Sequence, residues 1–242
     1  MPAYRCFRYV APITAPITAP IAAVIVALGL GACANDPYQR TKIGAAAGAV
    51  AGAVIGHQLD DDAGRYVGGA IGALAGAGVG YYMDEQEQAF ERELAEEQRR
   101  NELEVERLRD DTLKLSLDSE VSFDFGSAAL KPAFTPTLDK LVTLLGKYDR
   151  TVVHVVGHTD SVGSVASNLT LSKRRADAVG NHLLRNGIAS QRVRTEGRGE
   201  SEPRDSNSTE AGRQLNRRVE IYVKPIVQGQ EEKAYEAPHY TS

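Results

Sequence analysis

The sequence predicts an α+β chain: a carboxy-terminal β-α-β-α-β-(α)-β domain, preceded by a glycine-zipper helical hairpin and a charged helical linker. Three observations carry this. Glycine recurs at every fourth residue in two runs between residues 43 and 83. Residues 84–111 hold twelve acids against five bases, with few apolar positions. From residue 112 onward, period-two alternation and helical apolar stripes follow one another, the pattern of strands exchanging with amphipathic helices.

Residues 1–32 read as a signal peptide. Arg5 and Arg8 precede an apolar stretch that is continuous from Ile21 to Cys33, the order of an n-region and an h-region. The stretch is shorter than the ~20 residues that a spanning helix needs, and Pro12, Pro16 and Pro20 oppose a longer one. Leu30-Gly31-Ala32-Cys33 resembles a bacterial lipobox, an apolar residue and two small ones ahead of the modified cysteine. That resemblance implies that Cys6 leaves with the signal and that Cys33 becomes the lipidated first residue of a short segment, 33–42. Two or three acyl chains there are enough for stable anchoring. Ala34 stands where an aspartate would retain such a protein at the inner membrane, so the expected place is the outer membrane, facing the periplasm.

Residues 43–83 form the zipper. Gly44, Gly48, Gly52 and Gly56 line one run, and Gly68, Gly72, Gly76 and Gly80 the other. On a helix this spacing leaves a smooth groove into which a second backbone fits closely. His57 to Arg65 supplies a polar turn between the runs. Each helical glycine costs about 1 kcal/mol relative to alanine, so the hairpin needs packing in return, from a membrane or from self-association. A flexible tether is the alternative. Tyr81 and Tyr82 end the segment as an aromatic pair suited to a membrane interface.

In residues 84–111 the apolar positions Phe90, Leu94, Leu103, Val105 and Leu108 sustain no heptad. The expectation is an exposed helical spacer with ion pairs such as Glu96 with Arg100. Residues 112–225 form the folded domain. Leu113, Leu115 and Leu117 alternate as strand residues do, and Phe123 and Phe125 extend the pattern. Lys131-Pro132 opens a helix with Phe134, Leu138, Leu141 and Leu145 on one face. The β-branched run from Thr151 to Val156 reads as a central strand covered on both faces. A second helix carries Leu169, Ala176, Val179 and Leu183; a short strand starts at Val193; Val219, Ile221 and Val223 alternate in the last strand. Residues 226–242 read as a disordered tail.

Several motifs appear in order within this domain: Phe123-Asp124-Phe125-Gly126-Ser127-Ala128, Gly157-His158-Thr159-Asp160, Asn168 through Ala176, Gly197-Arg198-Gly199-Glu200 with Pro203, and Asn216-Arg217-Arg218-Val219-Glu220. Together they resemble the OmpA/Pal/MotB carboxy-terminal domain family, and the whole layout is similar to that of glycine-zipper outer-membrane lipoproteins. The resemblance implies non-covalent binding of peptidoglycan through the meso-diaminopimelate of its stem peptide. It further implies that Asp160 receives the ammonium, that Arg175 grips the carboxylate, and that Thr159 and Asn168 belong to the same groove. The chemistry is coherent, because a zwitterionic end needs one anion and one planar, bidentate cation held apart. Arg217, Arg218 and Glu220 read as structural charges. Gly126 stands where family members place Asn or Asp, which removes one hydrogen-bonding side chain.

Composition excludes other classes. Two cysteines in 242 residues make no disulfide scaffold. Residues 112–225 carry seventeen bases against thirteen acids, an excess that favours anionic partners without the density of a nucleic-acid binder. His154 and His158 share a strand face but lack a third ligand, so no metal site is read, and Ser161 and Ser164 lack a positioned base. No catalytic residue, cofactor or enzymatic activity is expected. The function that follows is an outer-membrane lipoprotein tethering membrane to wall. The alternative is a stator-like or regulatory envelope protein whose zipper contacts a membrane partner.

Overall fold

The computed structural model describes residues 78, 80–108 and 110–239. The expectations for the signal peptide, Cys33, the 33–42 segment and nearly all of the zipper lie outside the described residues. Among the described residues, no helix is long and apolar enough to cross a membrane.

The chain runs through helix α1 (80–93), α2 (Ala95–Arg99), β1 (Leu103–Arg107), β2 (Leu113–Asp118), α3 (Ser119–Ser122) and α4 (Thr135–Lys147), which follows a 3-10 turn at Pro132–Phe134. It continues through β3 (Thr151–His158), α5 (Val165–Arg185), β4 (Val193–Gly199), α6 (Glu210–Asn216), β5 (Arg218–Pro225) and α7 (Glu231–Tyr235). The five strands make one sheet in the order β1-β2-β5-β3-β4. β3 and β4 run parallel, joined by α5, and the other neighbours are antiparallel.

β3 is buried at every position, as its β-branched composition requires. Val153 and Val155 join the main core with Leu115, Leu117, Val219 and Ile221. Successive side chains alternate across a strand, so Val152, His154, Val156 and His158 face the opposite side. α4 brings Leu138, Leu141 and Leu145 to the main core, and α5 brings Ala176, Val179 and Leu183. The expected α5 stripe fails at its first member: Leu169 is 49% exposed, and buried Asn168, Ser172 and Arg175 take the inner face of the first turns. The polar end of the stripe is where a cleft opens.

The linker departs from the expected exposed rod. Helix ends at Arg99, Asn101 takes a left-handed backbone (φ 54), and Leu103–Arg107 becomes an edge strand paired to β2. Leu103 is buried, and the Arg107 side chain, 2% exposed, bonds Asp84 at 3.3 Å, Glu87 at 2.7 Å and Asp111 at 3.0 Å. Phe90 on α1 and Leu94, the residue between α1 and α2, are wholly buried in the core, and Phe90 packs 6.3 Å from the Tyr148 ring. These few apolar residues are therefore a docking stripe rather than a failed heptad. The ion pairs shift register too, Glu96 meeting Arg99 while Arg100 meets Glu97 and Glu102.

Two further expectations change. Phe123 is buried, but α3 interrupts the strand before it, and Phe125 stands fully exposed on the following turn. The region read as a disordered tail is ordered through residue 239. Ala234 of α7 is buried, its carbonyl accepts from His154 Nε2 at 2.8 Å, and the Pro238 carbonyl accepts from Arg198 at 2.6 Å. The tail thus covers part of the polar sheet face.

Arg192 shows how the helix layer is joined to the sheet. Its buried guanidinium donates to the carbonyls of Leu145, Tyr148 and Thr151 at 2.8–3.0 Å, satisfying the last turn of α4 and the start of β3 together. Arg192→Ala removes this donor from all three carbonyls, of which Tyr148 keeps another, the Thr151 hydroxyl at 3.0 Å, and is expected to cost about 2–3 kcal/mol in urea unfolding. Arg192→Lys should not restore it, because one ammonium cannot span the three carbonyls.

Candidate functional site

A cleft of about 910 Å³ opens at the carboxyl end of β3, beside the first turns of α5. Its position follows from two close approaches. A Cβ at Gly157 on β3 would lie 2.1 Å from the Ser172 carbonyl oxygen, and one at Gly197 on β4 would lie 2.3 Å from the Lys173 nitrogen. Only glycine lets α5 lie this directly on the two strands. Ser172 then donates to the Leu169 carbonyl and its Oγ accepts from Gly199 N at 2.9 Å, while Thr159 N donates to the Gly199 carbonyl at 2.9 Å. Ser164 caps the helix by accepting from Ser167 N.

The four residues expected from the motifs, Thr159, Asp160, Asn168 and Arg175, all line this cleft and are all buried. Asp160 Oδ1 accepts from Val162 N at 3.0 Å, closing a turn, and Oδ2 accepts from Arg217 at 2.7 Å. Asp160 is therefore at once a turn residue and a charge in the cleft. Asn168 lies one turn past the Ser164 cap of α5. Its amide nitrogen donates to the Asp160 carbonyl at 3.1 Å and to Glu200 at 2.6 Å, fixing the loop. Thr159 Oγ1 is buried without a hydrogen-bond partner.

Arg175 donates from Nε to the Ser127 carbonyl at 2.9 Å, and its guanidinium sits 5.2 Å from the centre of the Phe123 ring. No carboxylate of the described residues lies within ion-pair distance of it. Burial, reinforced by the neighbouring Arg217 charge, draws its pKa below the ordinary arginine value, with Asp160 opposing. A desolvated guanidinium with its fork unmatched by any acid is the group in this cleft best prepared for an incoming carboxylate.

Sequence reasoning undervalued Arg217. It bridges three carboxylates, bonding Asp160 at 2.7 Å, Glu210 at 2.8 Å and Glu120 as well. Burial opposes its charge, but the three hydrogen-bonded acids outweigh burial and hold its pKa above normal. The signal was topological: β5 runs antiparallel to β3, pairing Val219 with Gly157, so the residue just before β5 must lie beside the loop just after β3. Glu120, Glu210 and Phe125 were also missed, because each comes from a short element whose position no periodicity reports.

Arg218 and Glu220 do fill the structural role read for them. On the sheet face opposite the core, Glu220 accepts from Arg218 Nε at 2.9 Å, Tyr222 OH at 2.7 Å and His158 Nε2 at 3.1 Å. Burial would raise its pKa, but the His158 hydrogen bond and the Arg218 charge hold the carboxyl well below the usual range. The two histidines are thus engaged separately, His158 by Glu220 and His154 by the tail carbonyl. Among the described residues, no group of three His, Cys, Asp or Glu side chains is placed to hold a metal ion.

Comparison with known proteins gives the context of this cleft. Residues 122–217 match the family described as OmpA, and residues 16–84 match a YMGG-like Gly-zipper. The chain is 43% identical over 116 residues to the Escherichia coli (strain K12) protein named "Probable lipoprotein YiaD", covering 48% of this chain and 53% of that one. It is also 43% identical over 112 residues to outer membrane porin F of Pseudomonas fluorescens, covering 46% of this chain and 34% of the porin. The chain thus spans about half or less of the length of these curated relatives. Among solved structures, the cell wall anchor of the T6SS from Pseudomonas aeruginosa superposes with a TM-score of 0.52 at 30% identity, over 56% of this chain and 96% of that one.

Proposed function

With residues 122–217 an OmpA-family domain and a Gly-zipper match ahead of it, we propose that this protein binds peptidoglycan non-covalently in the cleft between β3 and α5 and ties the outer membrane to the wall. The observation that supports it most is the pairing, in one cleft, of a buried carboxylate, Asp160, with a buried guanidinium, Arg175, that has no acid of its own. A ligand end bearing an ammonium and a carboxylate complements both. The meso-diaminopimelate of a stem peptide has such an end. Arg175 takes the carboxylate through its free fork, Asp160 takes the ammonium, and Thr159 Oγ1, which has no partner within the protein, gains one from the ligand. The likeness to a cell wall anchor agrees with this use.

Membrane attachment through Cys33 and the zipper belongs to the same reading and rests on the lipobox and zipper residues. The outer-membrane and lipoprotein names of the two curated relatives agree with it.

The test is co-sedimentation of the full-length chain, in detergent, with purified diaminopimelate-type sacculi. Arg175→Ala and Asp160→Ala are each expected to weaken binding by about 30-fold or more, the cost of leaving one charge of a buried pair unmatched. Arg175→Lys and Asp160→Asn should also lose, the first because an ammonium cannot grip a carboxylate bidentately. Equal binding by wild type and all variants would refute the site.

A further inference from the structure

We propose that Phe125 and Val162 form an apolar clamp over the cleft, closing on the aliphatic stretch of a ligand whose charged end lies between Asp160 and Arg175. This rests on the reading of the cleft given above and adds what that reading leaves out, namely how the uncharged part of the ligand is recognised.

The fold leaves both side chains largely in solvent. Phe125 is 100% exposed and Val162 63% exposed, although both line a cleft whose floor is charged and buried. They come from different loops, Phe125 from the one after α3 and Val162 from the one after β3. Each is followed by a glycine in the left-handed backbone region, Gly126 at φ 64 and Gly163 at φ 107, so each stands at the tip of a tight turn that holds it away from the core. A Cβ at Gly126 would meet nothing within 4 Å, so the turn bearing Phe125 has open space around it.

Both loops are also tied to the charged floor. Arg175 Nε donates to the carbonyl of Ser127, two residues past Phe125, and Asp160 Oδ1 accepts from the backbone nitrogen of Val162 itself. The cation and the anion that would receive the ligand's ends therefore each carry one of the apolar residues. A ligand with opposite charges at one end and a methylene chain behind them meets charge at the floor and apolar surface at the rim. A short zwitterion would engage the floor and not reach the rim. The ligand class that follows is a peptide side chain of several methylenes ending in both an ammonium and a carboxylate.

The experiment measures binding of full-length protein to diaminopimelate-type sacculi, with competition by free meso-diaminopimelate and by the short 2,3-diaminopropionate. Phe125→Ala is expected to weaken sacculus binding by about tenfold, as for loss of one buried apolar side chain, and Phe125→Leu by no more than about threefold. Val162→Ser should act in the same direction. The thermal midpoint should stay at the wild-type value, because Phe125 makes no contact that holds the fold. The short competitor should act equally on wild type and Phe125→Ala, while meso-diaminopimelate should lose potency against the variant. Binding of Phe125→Ala within about twofold of wild type, or a leucine variant as weak as the alanine one, overturns the clamp. Absence of wild-type binding, or indifference to Arg175→Ala, would instead overturn the underlying site.

Discussion

A chain that begins at residue 112 should fail to hold this fold, whereas one that begins at residue 80 should unfold cooperatively from a native sheet. The sequence pattern alone makes residue 112 look like a natural boundary, since the strand-and-helix alternation starts there. The structure sets the boundary earlier. Met83, Phe90, Leu94 and Leu103 are buried almost completely, and the last three belong to the same core as Leu113, Leu115 and Leu117. Burial of each contributes about 1.5–3 kcal/mol, so their joint loss is comparable with the ~5–15 kcal/mol that holds a typical domain together. Polar ties go with them: Lys140 to Glu97 at 2.8 Å, Tyr148 OH to the Glu85 carbonyl at 3.1 Å, and Tyr82 OH accepting from Arg150 N at 3.2 Å. Truncation also turns β2 into an open edge rich in leucine, which invites association. Urea unfolding followed by circular dichroism checks this, and equal midpoints for the two chains would contradict it.

Glu220→Ala should be the most damaging single substitution on the polar sheet face, costing about 3–5 kcal/mol, because it removes the common acceptor of Arg218, Tyr222 and His158 and leaves buried donors unmatched. The same cluster sets the response to acid. Burial lowers the pKa of His158 from 6.5, and its Nδ1 has no partner to receive a second proton. Below pH 6.5 the unfolded chain takes up a proton that the folded one refuses, so stability falls as pH drops. Glu220, held well below its ordinary 4.5, adds a second decline that begins as pH falls toward 4.5, where the unfolded chain again binds the proton first. Urea midpoints between pH 7.5 and 4 should therefore decrease steadily on acidification. His158→Gln should flatten the upper part of the curve, with the remainder belonging to His154, whose pKa burial also lowers.

Much of the carboxy-terminal domain was legible because its signals are local. The β-branched run of β3, the four-spaced apolar residues of α4 and the alternation of Val219, Ile221 and Val223 each report their own burial. Thr159, Asp160, Asn168 and Arg175 were named through the family resemblance rather than through any local pattern, and all four line one cleft. The linker was misread because its burial depends on a partner far along the chain. Phe90 and Leu94 look sparse among acids until Tyr148 and β2 are present to receive them. Arg217 was misjudged for a similar reason, since its importance arises from strand order, which alternation does not disclose. Phe125 ran the other way: the alternation placed it in a strand, but β2 ends at Asp118, α3 follows, and the ring stands in water.

The glycine contacts at 157 and 197 carry an implication for how such a cleft could diversify. With strand and helix backbones in direct touch, any side chain larger than hydrogen at either position would lift α5 and with it Arg175. The floor is consequently a fixed fitting that substitution can break but not adjust. Phe125, Val162 and their turns bear no such load. New ligand preferences would arise there, at the rim, without disturbing the charged groups beneath.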